Sequence, residues 1–218
     1  MKNLILAIVC VTMVTANAFA QNNTQPELLY SNKVSVLFGL LQPVVAKGFN
    51  MEVNYTTKRL IFDYSHGVSL SPPVVGKYLD QNVVLHIPYT TGFGIGYRFN
   101  SFLDLRFEPK LHRFQVYNKD ETQNDANKIV DFKTITFGLG LYYRYFPFKN
   151  SDNKFLQGIT TSTSLRWWQN FGTTLRNDEF AYTNKGTKKV ETLSASNIGF
   201  ANTPIIFNIA IGYTFGGK

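Results

Sequence analysis

The sequence predicts an all-β fold: a closed antiparallel up-and-down β-barrel that spans a membrane with eight strands, ten being the alternative. Three observations lead to this prediction. The chain opens with an export signal, several segments alternate apolar residues with small or charged ones, and long charged side chains fall opposite glycines. Together they indicate a sheet with an apolar outside and a crowded polar inside.

The first 20 residues have the three regions of a secretory signal peptide. Lys2 precedes an apolar run from Leu4 to Val14, and Ala18-Phe19-Ala20 supplies the small residues of a cleavage site. The run has 11 residues, fewer than the roughly 20 that a spanning helix needs. We therefore expect a cleaved signal at 1–20, an N-terminal extension at 21–32 and the barrel at 33–218.

Composition limits the chemistry of the mature chain. Cleavage would leave 198 of 218 residues, remove the single cysteine, Cys10, and lower the formal charge from +8 to +7. A chain without thiols has no disulfide and no cysteine metal site. The bases are scattered, Lys58-Arg59 and Lys188-Lys189 being the longest runs. Because nucleic-acid binding needs a clustered basic face, we expect no nucleic-acid partner.

Strand periodicity is clearest in two consecutive segments. In the first, Phe93, Ile95, Tyr97 and Phe99 alternate with Gly92, Gly94, Gly96 and Arg98. In the second, five ionisable residues share one face and apolar residues the other; the five are Asp104, Arg106, Glu108, Lys110 and His112. Similar alternation places Arg144 and Arg166 on the polar faces of later strands.

A short turn at 100–102 would bring these two segments face to face. The pairing sets Arg98 opposite Asp104, and it sets Gly96, Gly94, Gly92 and Thr90 opposite Arg106, Glu108, Lys110 and His112. The narrow interior of a barrel of about eight strands requires such room, whereas a solvent-facing sheet does not. We therefore predict a lumen charge network of Arg98, Asp104, Arg106, Glu108, Lys110, His112, Arg144 and Arg166. The alternative interpretation is that these glycines mark β-bulges in an ordinary sheet.

The connections sort into short and long ones, as in barrels with short turns at one end and long loops at the other. Short connections lie at 100–102 and 149–154, and long ones at 67–82, 118–128 and 173–203. The predicted strands are 33–46, 49–56, 58–67, 83–99, 103–117, 129–146, 156–172 and 204–216. A single strand over 49–66 would make the count odd. Asn184-Lys185-Gly186 predicts an extra hairpin inside the last loop. Such a hairpin adds two strands and so keeps the strand count even.

The C-terminal segment from Ile209 to Phe215 resembles the closing strand of bacterial outer-membrane barrels, although Gly216-Gly217-Lys218 follow the phenylalanine. As a whole the mature chain resembles the small OmpA/OmpX-like or porin-like barrels. The resemblance implies the outer membrane of a Gram-negative bacterium. It also implies contact with outer-membrane lipid and lipopolysaccharide, and recognition of the C-terminal strand by the barrel assembly machinery.

No residue pattern predicts a catalytic, cofactor or metal site. His66, His86 and His112 fall toward the outer strand ends, but the register places His86 opposite Val116, roughly 13 Å from the His112 pair at ~3.3 Å per residue. Asp63 and Ser65 share a strand face that His66 does not. We therefore expect no enzymatic activity; the alternative is a lipid-modifying hydrolase.

The charged face is compatible with two functions. In a pore it would set ion selectivity, and in a closed barrel it would form an interlocked plug. Because an eight-strand interior is nearly full, we expect a largely plugged lumen and a structural or surface-binding role through extracellular loops, with an unknown surface ligand. The alternative is a narrow porin-like channel for ions or small solutes.

Overall fold

The structure, a computed structural model, describes residues 32–72, 82–195 and 205–216. The predicted signal at 1–20 and all but the last residue of the predicted extension lie outside the described residues. No helix among the described residues has the length and apolar character needed to cross a bilayer. The elements in chain order are β1 (Lys33–Gly39), α1 (Leu41–Val45), β2 (Phe49–Thr56), β3 (Leu60–Leu70), β4 (Val83–Arg98), β5 (Leu103–Asn118), β6 (Lys128–Tyr145), α2 (Lys154–Gln157), β7 (Ile159–Thr173), a 3₁₀ turn (Arg176–Asp178), β8 (Glu179–Thr183), β9 (Val190–Ser194) and β10 (Ile205–Phe215).

Eight of these strands close an antiparallel barrel in the order β1-β10-β7-β6-β5-β4-β3-β2, and β8 and β9 form a separate hairpin. Closure leaves no open edge along the paired part of the wall. The eight-strand up-and-down barrel is confirmed, and so is the extra hairpin, which turns at 184–189 between Thr183 and Val190.

The barrel has a turn end and a loop end. The turn end carries the connections 57–59, 99–102 and 146–158, and the loop end carries 40–48, 119–127 and the described starts, 71–72 and 174–195, of the two connections that follow β3 and β7. The wall is tallest at β4 and β5, with 16 residues each, and β6, with 18, and lowest at β1, with 7. One side of the barrel therefore rises well beyond the other at the loop end.

The N-terminal strands follow the predicted division, but the first strand is shorter than predicted. The strand predicted at 33–46 ends at Gly39, and α1 follows. Pro43 explains this difference, because proline cannot donate a ladder hydrogen bond but is tolerated in the first turn of a helix. The predicted division into strands at 49–56 and 58–67 is confirmed over the single-strand alternative at 49–66, because the chain turns after Thr56, where the Thr57 amide donates to the carbonyl of Leu60 at 2.8 Å.

The predicted β4–β5 register is confirmed at Arg98–Asp104, Gly96–Arg106, Gly92–Lys110 and Thr90–His112. Farther along it is wrong, because His86 pairs with Gln115 rather than Val116. The register shifts between His86 and Thr90, around Pro88, where the missing N–H interrupts the ladder. The extra residue reverses the face of each side chain beyond it, so that Leu85 and Ile87 point inward and are buried.

Glycines make room for large interior side chains, as the pairing predicted. A Cβ on Gly92 would collide with Lys110, and one on Gly96 would lie 2.8 Å from Cγ of Arg106. The space at Gly94 is used differently: the Asp63 carboxylate of β3 occupies it. The glycines of β4 therefore make room for side chains of both neighbouring strands, β3 and β5.

Candidate functional site in the barrel interior

All eight residues of the predicted charge network point into the barrel and are buried, with 0% to 8% of their surface exposed. They come from four strands: Arg98 (β4), Asp104, Arg106, Glu108, Lys110 and His112 (β5), Arg144 (β6) and Arg166 (β7). Alternation within each strand turns these polar side chains inward and their apolar neighbours outward.

Arg106 lies at the centre of the network and is fully buried. Its Nε donates to Oδ1 of Asp104 at 2.5 Å and its Nη1 to Oε1 of Glu52 at 2.7 Å. Nη1 also lies 3.6 Å from the Asp63 carboxylate. The guanidinium plane stacks on the Tyr142 ring, with Cζ 3.7 Å from the centroid. Such a set of charge-assisted bonds and a stacked ring favours arginine over lysine at this position.

Glu108 forms the second node, also fully buried. Its Oε2 accepts from the Tyr142 hydroxyl at 2.5 Å, and its Oε1 lies 3.5 Å from Nζ of Lys110. Arg166 bridges the two nodes, since its Nη2 lies 3.6 Å from Glu52 and its Nε 4.0 Å from Glu108. β2, β3, β5, β6 and β7 are thus joined across the interior by one set of ion pairs.

Toward the turn end, Arg98 and Arg144 accompany Asp104. Nη2 of Arg144 lies 3.8 Å from Oδ2 of Asp104, and Nη1 of Arg98 donates to the carbonyl of Thr57. Arg98 is the cross-strand neighbour of Asp104, as predicted, while the ion pairs of Asp104 run to Arg106 and Arg144. Lys33 of β1 completes this layer, with Nζ 5.7 Å from the centroid of the Phe146 ring.

Toward the loop end, the charged layer gives way to neutral polar groups. Nζ of Lys110 lies 4.9 Å from the Trp168 ring centroid. The two ring nitrogens of His112 bond the hydroxyls of Thr90 and Thr136, each at 2.8 Å. His112 therefore has hydroxyl partners on both sides.

The other histidines lie apart from His112. His86 contacts Oγ of Ser71 through Nδ1 at 3.3 Å, and His66 stacks on Tyr64 on the opposite face of β3 from the buried Asp63 and Ser65. Within the described ranges, no three His, Cys, Asp or Glu side chains converge in a manner suited to a metal ion.

Five interior residues were missing from the predicted network: Lys33, Glu52, Asp63, Tyr142 and Trp168. Two of them supply carboxylates to Arg106, and without them the interior is strongly basic. A signal for Glu52 exists in the sequence, because Asn50, Glu52 and Asn54 alternate with apolar residues along β2. The same alternation sets Asp63 and Ser65 on one face of β3.

Beyond His112 the interior becomes apolar. Phe114 and Phe132 stack at 5.4 Å between centroids, and Leu85, Ile87 and Val116 are buried beside them. The β8–β9 hairpin covers this cluster, with the ring of Phe180 6.2 Å from that of Phe132. We call this set the loop-end apolar cluster; its buried members are Ala46, Leu70, Leu85, Ile87, Phe114, Val116, Phe132, Phe180, Tyr182, Leu193 and Ala195.

An ion pair links the hairpin to the rest of the barrel, and a hydrogen bond joins its two strands. The hairpin turn contacts the β5–β6 loop through the ion pair Lys185–Glu121. Burial and the adjacent Glu191 carboxylate raise the pKa of Tyr182 to about 12. Its phenol therefore stays protonated at neutral pH and donates to Glu191 at 3.0 Å.

The outer surface of the wall is a band of exposed apolar side chains, among them Phe62, Phe93, Ile95, Phe107, Leu139, Leu141, Leu165, Trp167, Phe207 and Ile211. Aromatic pairs border it on both sides. At the turn end Phe155 stacks on Tyr213 at 5.3 Å, and nearer the loop end Phe137 contacts Phe171 at 4.9 Å. Exposed apolar bands of this extent in a folded chain mark a surface that contacts protein or membrane, and aromatic girdles flank such a band in transmembrane barrels.

No protein-family model and no curated protein matches the chain. Among solved structures, it is similar to a major outer membrane protein from Thermus thermophilus, with 10% identity and a TM-score of 0.47 over 85% of this chain and 99% of that one. It is also similar to the N-terminal β-barrel domain of Pseudomonas aeruginosa OprF, with 12% identity and a TM-score of 0.38 over 85% and 97%. A third similar structure is Ail, the attachment invasion locus protein of Yersinia pestis, in complex with the heparin analogue sucrose octasulfate. It has 11% identity and a TM-score of 0.36 over 85% of this chain and 97% of that one. The closed eight-strand barrel itself follows from the strand order of this chain.

Proposed function

We propose that this chain is an integral outer-membrane protein of a Gram-negative bacterium, exported by a cleaved signal, that does not conduct and that acts through its loop end on the outside of the cell. The filled interior carries the proposal. The ion network occupies the middle of the barrel, and the loop-end apolar cluster with its hairpin covers one end.

The interior supports a plug rather than a pore. Arg106 and Glu108 have no exposed surface; Arg106 bonds Glu52 of β2, three strands away around the wall, and Glu108 bonds Tyr142 of the adjacent β6. A conducting path would need a continuous polar passage with sites that bind ions weakly enough to release them. Here the same charges are matched to one another, and apolar rings lie above them.

A structural or surface-binding role is supported by the tall side of the barrel. β5 and β6 rise beyond the short strands and hold the β8–β9 hairpin by apolar packing and an ion pair. Binding residues are commonly found on loops that a rigid scaffold positions. The surface ligand is therefore expected to contact the hairpin and the β5–β6 loop. A lipid-modifying hydrolase is disfavoured, because Ser65 is buried on the face of β3 opposite to His66.

Conductance in planar bilayers tests the closed interior. We expect the refolded mature protein to give no discrete current steps. The same result is expected after replacement of Glu179–Ser194 by a short glycine-serine linker, because the ion network remains. Current steps from the wild type would instead establish the alternative function, a narrow porin-like channel. Steps from the linker variant alone would make the hairpin, and not the ion network, the barrier.

Epitope insertion tests the orientation. An epitope placed at Gly186 of the hairpin is expected to bind antibody on intact cells, and one placed at Ser101 of the β4–β5 turn only after lysis. The reverse pattern would place the loop end in the periplasm and contradict the proposed surface role.

The remaining partners follow from the membrane location. The apolar band would contact outer-membrane lipid and lipopolysaccharide, and β10 would be the strand that the barrel assembly machinery reads. Phe215 ends that strand with its ring 4.7 Å from Tyr213. Phe215→Ala is expected to lower the amount of folded barrel in cells while leaving refolding in detergent intact; equal loss in both would argue for a role in stability alone.

A further inference from the structure

The barrel wall is too low on one side to span a bilayer with its strands alone. β1 has 7 residues and β2 has 8, whereas a transmembrane strand needs about 9 to 11. On the opposite side of the barrel β5 has 16 residues and β6 has 18. Around β1 and β2 the hydrocarbon of a bilayer would therefore extend past the ends of the strands.

The height of α1 follows from the strand register. On β5 and β6 the last apolar pair that faces outward is Leu111–Ile135. Successive register partners of Leu111 run around the wall through Phe38 of β1 and reach β6 at Tyr145. Tyr145 lies ten positions nearer the turn end than Ile135, because the tilt of the strands makes a row of partners descend as it circles a barrel.

α1 lies level with the upper part of the apolar band. β1 is half a circuit away from β5, so the row has descended by about five positions when it reaches Phe38. The height of Leu111 on this side is therefore found near Pro43, inside α1. A helix rises about 1.5 Å per residue where a strand rises ~3.3 Å, so α1 does not climb above that height.

α1 has one side toward the barrel and an exposed side. Residues four apart share a helix face. Ala46 is buried in the loop-end apolar cluster, and the side chain of Gln42 fills the space beside Gly39 on the inner face of β1. Leu40 and Val44 are exposed instead, Val44 to 81%. The exposed side of α1 is thus apolar.

This exposed side is continuous with the apolar band of the wall. The Leu40 amide donates to the carbonyl of Ile209 at 2.8 Å and so extends the β1–β10 ladder toward α1. Beside it, the rings of Phe38 and Phe49 lie 5.5 Å apart between centroids. We call this surface the α1 patch; its members, all exposed, are Phe38, Leu40, Val44, Val45 and Phe49.

Lipid chains fit the α1 patch in both chemistry and position. The sequence has no charged residue between Lys33 and Lys47, and the low wall leaves acyl chains room to reach the patch. We propose that α1 is inserted in the outer leaflet, where the α1 patch contacts acyl chains and completes the lipid-facing surface above β1 and β2. This contact rests on the proposed outer-membrane location of the chain.

Spin labels in dimyristoylphosphatidylcholine vesicles test the contact at Val44→Cys. Phe107→Cys marks the lipid-facing wall. Val190→Cys is the matched control in water, because Val190 is also an exposed valine, at 74%, beside the turn of the hairpin. Polar solutes are excluded from hydrocarbon, so the collision rate with a water-soluble nickel complex should be at least about fivefold lower at Val44 than at Val190. Collisions with dissolved oxygen at Val44 should match those at Phe107.

The failure of this contact is distinguishable from the failure of the membrane location. Nickel access at Val44 equal to that at Val190, with Phe107 still shielded, would mean that the bilayer thins to meet the short strands; it would overturn the contact alone. Shielding of Val44 from both oxygen and nickel would reveal a protein cover, such as a second copy of the chain, and would overturn it as well. Nickel access at Phe107 would contradict the membrane location itself.

A second position makes the test independent of one variant. Leu40→Cys places the label about one helical turn earlier in the α1 patch and should show the same preference for oxygen over nickel. It replaces Val44→Cys if that variant does not fold. Nickel access at Leu40 equal to that at Val190, or shielding from both reagents, would then overturn the contact.

Discussion

β5 has opposite polarity in its two halves. From Asp104 to His112 its charged residues point inward and its apolar residues outward, whereas from Arg113 onward Phe114 and Val116 point inward and Arg113 and Gln115 outward. β6 changes in the same way, with Phe132 inside and Lys133 outside. The difference shows what surrounds the wall: lipid requires an apolar exterior and leaves the polar groups inside, and water requires the reverse.

The change of polarity locates the upper edge of the proposed lipid belt. The last apolar outward pair of β5 and β6 is Leu111–Ile135, and the first polar one is Arg113–Lys133. Above it, Arg113 donates to Asp131 at 2.6 Å and 2.9 Å, as a water-exposed surface allows. The part of the barrel beyond this level resembles a small soluble sheet packed on its own apolar core.

The largest effect is expected from the centre of the polar half. Arg106→Ala would leave Glu52 and Asp104 buried with less compensation, and removal of one member of a buried pair costs about 3 to 5 kcal/mol. Equilibrium unfolding in urea of the detergent-refolded protein measures it. A cost below about 1 kcal/mol would mean that water already solvates the network.

The loop-end apolar cluster should respond as a soluble core does. Phe132→Ala removes a ring packed between Phe114 and Phe180, and such truncations cost about 3 to 5 kcal/mol in well-packed cores. Because the cluster lies beyond the lipid belt, we expect the loss to appear first as exposure of the hairpin to protease, with the barrel still folded. Cooperative loss of the whole barrel would instead show that the cluster and the ion network form one unit.

Charge on the outer surface tests the lipid boundary. Ile95→Arg and Leu139→Arg should each cost about 2 to 4 kcal/mol in bilayers if those side chains meet lipid near the midplane. Gln115→Arg is the matched control above the boundary and should change stability by no more than about 0.5 kcal/mol. Equal costs at all three positions would place the boundary elsewhere.

A smaller effect concerns the partners of Asp104. Double-mutant cycles with Arg106→Ala and with Arg98→Ala should both show coupling to Asp104→Ala, within the roughly 0.5 to 3 kcal/mol of contacting residues. The cycle with Arg106 should give the larger value, because its Nε lies 2.5 Å from the Asp104 carboxylate. Strict additivity in the Arg98 cycle would mean that cross-strand pairing does not bring those two charges into contact.

Much of the wall could be predicted because period-two alternation follows directly from strand geometry. The charged face of β5, its glycine partners and the eight strands followed from that alternation. The loop-end apolar cluster did not, although Phe114 and Val116 continue the inward face of His112. Where the surroundings change from lipid to water, the apolar residues face inward instead of outward, while the period of the alternation stays the same.

Local backbone chemistry explains the other differences. The bulge near Pro88 turned Leu85 and Ile87 inward, and one residue of slip is enough to reverse a face. Glu52 and Asp63 lie on strands whose division was open at the sequence level, so their shared target Arg106 was not apparent. Ion-pair partners that come from strands far apart in the chain depend on closure of the barrel.

The position of the lipid boundary can be tested most directly by cysteine labelling, since Cys10, inside the predicted signal, is the only cysteine. Spin labels at Phe107→Cys and Leu139→Cys in bilayers should collide with oxygen dissolved in lipid and be shielded from a water-soluble nickel complex. A label at Gln115→Cys should show the opposite preference. Water accessibility at Phe107→Cys and Leu139→Cys equal to that at Gln115→Cys would contradict a lipid-facing wall.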